Sequence, residues 1–159
     1  MTGSGGAFAP FRPRRGRAVA TTAAVIVVLV FAVVAFFLPG PHDAGNWTPF
    51  DRVMLIGLAL AIAWFLLRYA SIKALPTRET LTVRNLLSTR SVEWSQIVAV
   101  QFAGADPWVT LDLADTDSLA VMAIQKADGP RSRHEAARLA ALVAGLGEAG
   151  EAGVRGEVS

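Results

Sequence analysis

A run of 21 residues without a charge, Ala18 to Leu38 (AVATTAAVIVVLVFAVVAFFL), constrains this chain more than any other feature. As a helix the run is roughly 30 Å long, the thickness of a bilayer hydrocarbon core. Its Val and Ile content would suit a buried strand, but strands rarely exceed about ten residues. A second apolar run, Val53 to Leu67 (VMLIGLALAIAWFLL), has 15 residues. Continued to Ile72 it reaches a spanning length, because Arg68 can snorkel its guanidinium to the headgroups. Trp64 and Tyr69 fall where an interfacial aromatic belt belongs. We expect a transmembrane helical hairpin over 18–72, with spans at 18–38 and about 53–72. Gly57/Ala61 and Ala59/Ala63 offer small surfaces for close helix packing, with Ala18 to Ala24 as the facing surface, unless Ala is merely frequent here.

A cleaved signal has an apolar region of about 7–15 residues and a small-x-small site. The first run is longer and ends in Phe36-Phe37-Leu38-Pro39, so an uncleaved span is expected. Arg12, Arg14, Arg15 and Arg17 precede it. The connecting loop carries only Arg52, against Asp43 and Asp51, and Arg68, Lys73 and Arg78 follow the second run. The positive-inside rule then places both termini in the cytoplasm and the loop around His42 outside, at the plasma membrane. Asn46-Trp47-Thr48 spells a glycosylation sequon but crowds both spans, and reads as an accident of composition.

Composition limits the chemistry. Of the 159 residues 53% are apolar and 18% are charged, whereas a soluble domain is about a quarter charged. With no cysteine there is no disulfide framework and no thiolate metal site or nucleophile. His42 and His134 fall on opposite sides of the membrane, and no G-x-S-x-G elbow or phosphate-cradling glycine loop is present. Asp112, Asp115 and Asp117 lack the Gly and Glu positions of a calcium loop. We therefore expect no catalytic residues, no metal and no cofactor.

Residues 73–147 read as a small domain. It has eight basic and eight acidic side chains, a balance that argues against nucleic acid. Leu81 and Val83, then Val98, Val100 and Phe102, then Val109, Leu111 and Leu113 alternate with polar or small neighbours, as strands of an antiparallel sheet or partly open barrel do. After Asp128-Gly129-Pro130 the period changes. Ser132 and Glu135 form a capping-box pattern, and Ala136, Leu139, Leu142, Val143 and Leu146 repeat at helical spacing until Gly145 and Gly147. Leu81, Val83, Val100, Phe102, Val109, Leu111, Leu113, Leu139 and Leu142 are expected to share one core, with Trp94 largely buried beside it. Residues 1–17 and 148–159 carry no apolar period and are expected to be disordered.

Several strands and one terminal amphipathic helix behind a membrane hairpin resemble the bacterial PH-like domains of small actinobacterial membrane proteins, the low-molecular-weight protein antigen 6 PH-domain family. The resemblance is carried by Thr82-Val83-Arg84-Asn85-Leu86-Leu87, Val92-Glu93-Trp94-Ser95-Gln96-Ile97 through Phe102, Pro107-Trp108-Val109-Thr110-Leu111-Asp112-Leu113 and Ala123-Ile124-Gln125-Lys126-Ala127-Asp128-Gly129. It covers about residues 15 to 146. It implies an α+β fold in which a PH-like antiparallel sheet is capped by a C-terminal helix, and it implies no catalytic residues.

Two functions follow. In the first, the domain is a non-catalytic protein-binding or scaffold module at the cytoplasmic face, with a membrane or cytoplasmic protein as partner. In the alternative it recognises anionic lipid headgroups through Arg68, Lys73, Arg78 and Arg84. Trp108, opening a strand beside Pro107, covers the barrel edge or faces a ligand. A chain already tethered by two helices needs no lipid contact to stay at the membrane, which tips the sequence reading toward a protein partner. Neither partner identity nor oligomeric state is legible.

Overall fold

A computed structural model describes residues 6–37, 47–102 and 105–156, with side chains as far as Glu148. The chain forms two compact units, Gly16–Ser71 and Met1–Arg15 with Ile72–Ser159. The loop around His42 and Asn46 lies outside the described residues.

The first unit contains two helices, α1 (Arg14–Phe37) and α2 (Pro49–Ala70), both long and apolar enough to cross a membrane. Both begin about four residues before the apolar runs do, for local reasons. Ahead of α2, Thr48 and Asp51 close a capping box: the Thr48 N–H donates to the Asp51 carboxylate at 2.6 Å, and the Asp51 N–H donates to the Thr48 hydroxyl at 3.4 Å. Pro49 is tolerated at the first helical position, where its N–H is not needed. The buried residues of the two helices are all alanines: Ala20, Ala24 and Ala35 in α1, Ala59 and Ala63 in α2. Large side chains such as Leu29, Phe36, Met54 and Leu58 are exposed along them. Of the small residues singled out in α2, Ala59 and Ala63 are buried, but Gly57 looks into open space.

The second unit holds two three-stranded antiparallel sheets. One has the order β1 (Lys73–Pro76), β2 (Thr80–Arg84), β3 (Thr89–Glu93). The other has the order β4 (Ile97–Gln101), β5 (Trp108–Leu113), β6 (Ser118–Gln125). Helix α3 (Pro130–Gly156) follows. Among the described residues the sheets do not close into a barrel. The alternating strands bury one face each: Leu81, Val83, Val109, Leu111 and Leu113 are buried together with Val92, Leu119 and Val121, and Leu139 and Leu142 of α3 are buried as well. Trp94, in the 3-10 turn Trp94–Gln96 between the sheets, is 2% exposed, and its indole N–H donates to the Thr77 carbonyl at 3.1 Å. A buried indole needs such a partner.

Strand β4 departs from the expected register. Ile97 is buried, Val98 is 68% exposed, and Val100 and Phe102 are half-buried. A bulge between Ile97 and Ala99 shifts the pairing with β5, and an inserted residue exchanges the faces on either side of it. Strand β1 contains Pro76, which an edge strand accommodates.

The ends of the chain also differ from expectation. Where disorder was expected over 1–17, residues 6–13 lie along the domain. Phe11 exchanges backbone hydrogen bonds with Ala74 (2.9 and 3.0 Å) and is 1% exposed. The Arg138 guanidinium stacks 3.9 Å from its ring centroid and donates to the carbonyls of Ala9, Ala7 and Gly6. The N–H groups of Arg14 and Arg15 donate to the Asp128 carboxylate at 3.2 and 3.0 Å. Asp128 thus satisfies donors that the first helical turn leaves free. Helix α3 starts at Pro130, so Ser132 lies inside its first turn and is not the cap; its hydroxyl donates to the Gly129 carbonyl at 2.6 Å. Gly129 makes the preceding turn at φ 66, a conformation that favours glycine. At its other end α3 continues to Gly156, past the end expected at Gly147.

Candidate functional site

Register decides which of the sequence-selected cations can act together. Lys73 stands directly opposite Arg84, and Arg84 directly opposite Thr89. Directly opposed residues share a face, and like charges there repel. Both side chains are half-buried, and among the described residues neither has a hydrogen-bonding or ionic partner. A like-charged pair held by a rigid ladder is relieved by an anion.

Three other cations, Arg90, Arg131 and Arg138, are neutralised from within the domain. Arg90 bonds Asp117 at 2.5 Å and lies 3.5 Å from Asp115. The Arg90 guanidinium, followed by the Ser118 N–H, holds the Asp117 carboxyl below the usual carboxylate range. Glu135 pairs with Arg138 at 2.7 Å and Arg131 at 3.3 Å. The unneutralised cations of the first sheet are therefore concentrated at Lys73 and Arg84.

Arg78 is exposed in the β1–β2 turn, at the opposite end of the sheet from Lys73 and Arg84. Arg68 belongs to the helical unit, where its guanidinium donates to the Ser71 hydroxyl at 3.1 Å in the last turn of α2. Trp108 is half-buried at the start of β5, opposite Gln125, and so sits in the other sheet. Of the four selected residues in this unit, register brings two side by side, Lys73 and Arg84.

A cavity of about 570 Å³ in the second unit is lined by Phe102, Lys126, Gly129, Pro130, Ser132 and Arg133. The Lys126 ammonium lies 5.9 Å from the Phe102 ring centroid. A narrower groove of about 210 Å³ runs between β4 and α3, lined by residues including Trp94, Val98 and Val143. No group of three metal-ligating side chains occurs among the described residues.

Sequence reasoning passed over Phe11, Asp128 and Arg138, whose roles depend on contacts more than 100 positions away along the chain. It also passed over Leu87, although two leucines inside a short turn are a visible anomaly.

Two open antiparallel sheets joined by a tryptophan-anchored corner and followed by one long helix define a PH-like module of the α+β class. The comparison with known families agrees: residues 77–142 match the bacterial PH domain. Uncharacterized proteins of Mycobacterium bovis and Mycobacterium tuberculosis are each 39% identical over 82 residues, covering 52% of this chain and 53% of theirs. The chain thus spans about half the length of the curated relatives it matches. No solved structure matches it.

Proposed function

We propose that the chain is a membrane-anchored, non-catalytic binding module whose PH-like domain meets anionic lipid headgroups at the cytoplasmic face of the plasma membrane. The observation that carries this reading is the opposed, unneutralised pair Lys73 and Arg84. Lys73 follows the last residue of α2 by three positions, so the pair belongs to the stretch of chain next to a span. Each basic residue near an anionic leaflet contributes on the order of 1 kcal/mol. Because the helices already anchor the chain, this contact orients the domain. The arginines ahead of the uncharged run, Arg12, Arg14, Arg15 and Arg17, support cytoplasmic termini. The order of the quoted motifs supports the finer grouping with the antigen 6 PH-domain proteins.

In bilayers of phosphatidylglycerol, amide exchange at residues 84–89 is expected to be slower than in phosphatidylcholine, and salt is expected to erase the difference. Equal rates in the two lipids would remove the headgroup reading. A protein-binding or scaffold role is favoured by a different feature, the exposed Val98 beside the groove between β4 and α3. Under that reading Val98→Asp, and not a change of lipid charge, alters the behaviour of the domain.

A further inference from the structure

The geometry points to the β2–β3 turn as a membrane-penetrating tip, with Leu87 entering the interfacial layer of the bilayer ahead of Lys73 and Arg84. Leu87 is 90% exposed, the most exposed large apolar side chain among the described residues. That exposure is imposed by an anchored turn. The Asn85 N–H donates to the Ser88 carbonyl at 2.8 Å, and the Asn85 side-chain amide donates to the Ala120 carbonyl at 2.7 Å. The Asn85 side-chain oxygen accepts from the Met122 N–H at 3.3 Å, and Asn85 itself is buried. The turn is therefore held with its leucine outward.

The path of the chain says what covers it. Strand β1 starts at Lys73 and runs away from the residues that follow α2; β2 comes back, and its last residue, Arg84, is level with Lys73. Residues 85–88 then project past Lys73. The turn at the other end of the sheet, Thr77-Arg78-Glu79-Thr80, is polar throughout. Of the two turns of this sheet, the one level with Lys73 carries the leucines, and Lys73 and Arg84 stand directly behind it. An apolar tip with a basic collar is the amphipathic pattern that a bilayer interface accepts: side chains of the tip enter the acyl boundary while the cations remain among the headgroups. The insertion rests on the headgroup reading for its direction but adds an apolar contact which that reading does not require.

The natural absence of cysteine makes the test clean. Leu87→Cys and Ser95→Cys, both at exposed positions, are labelled with an environment-sensitive fluorophore in the full chain. Each is reconstituted in vesicles of phosphatidylcholine, with and without phosphatidylglycerol. At position 87 the label is expected to be quenched by nitroxide-bearing lipids and to lose iodide quenching several-fold relative to position 95. Equal iodide quenching at the two positions would overturn the insertion. Shielding from iodide without quenching by the nitroxide lipids would overturn it too, and would assign the tip to a second copy of the chain. Insertion that is equal in both lipids would retain the tip and reject the headgroup reading. Lipid-charge-dependent exchange at residues 84–89 without insertion would do the reverse.

Discussion

At one end of the first sheet, Thr77 and Thr80 bond each other's backbone and hydroxyl groups, and the Trp94 indole closes on the Thr77 carbonyl. At the other end, Lys73 and Arg84 repel across the ladder and Leu87 projects from an anchored turn. The same three strands supply both ends. The first has its threonine and indole groups satisfied inside the domain, and substitution of those residues acts on folding. The second leaves charge and apolar surface unsatisfied, and substitution there acts on what the domain meets. The proposed binding surface is thus separated from the stabilising contacts by about five residues of strand.

The largest effect is expected from breaking the finished end. Trp94→Ala removes a fully buried side chain and its hydrogen bond, and such truncations cost about 3–5 kcal/mol. Small domains hold about 5–15 kcal/mol in total, so the urea midpoint of the domain, followed in detergent, should fall steeply. Leu111→Ala should cost about 2–5 kcal/mol, whereas Thr110→Ala, on the other face of β5, should cost little. Equal midpoints for those two variants would mean that the strand is misread.

A smaller loss is expected at the junction with the N-terminal segment. Asp128→Ala removes the acceptor for the Arg14 and Arg15 N–H groups, and losing such a cap costs about 1 kcal/mol. Faster amide exchange confined to residues 14–16 would mark that contact; unchanged exchange would deny it.

The smallest effect is expected at the internal ion pair. Asp117 titrates below its ordinary value because Arg90 bonds it. Its contribution is therefore fully present above the unfolded-state pKa of about 3.9 and is lost as the pH falls through the lower folded value. Asp117→Asn should flatten the acid limb of the stability profile slightly and leave neutral pH almost unchanged, since the pair is exposed. A large change at neutral pH would contradict that.

Much of this architecture is legible in residue order. The uncharged run after Arg17 fixes a helix long and apolar enough to cross a membrane, and the alternation through Leu81-Thr82-Val83 and Val109-Thr110-Leu111 fixes which faces are buried. The bulge in β4 is not legible, because Ile97 and Val98 are interchangeable by composition and only pairing with β5 chooses between them. The order of residues 6–13 is invisible for a related reason: Phe11 gains its burial from Ala74 and Arg138, far along the chain. The basic site was half visible. Lys73 and Arg84 could be picked out as cations, but register joined them and sent Arg78 to the opposite turn.

Charge reversal at the two ends tests the central contrast most directly. Lys73→Glu with Arg84→Glu is compared with Arg78→Glu in the full chain, in phosphatidylglycerol and in phosphatidylcholine bilayers. The account predicts that the pair at the open end abolishes the lipid-charge dependence of amide exchange over residues 84–89, while Arg78→Glu leaves it intact. Equal loss from both would show a diffuse attraction to the membrane with no site in it, and would contradict the account.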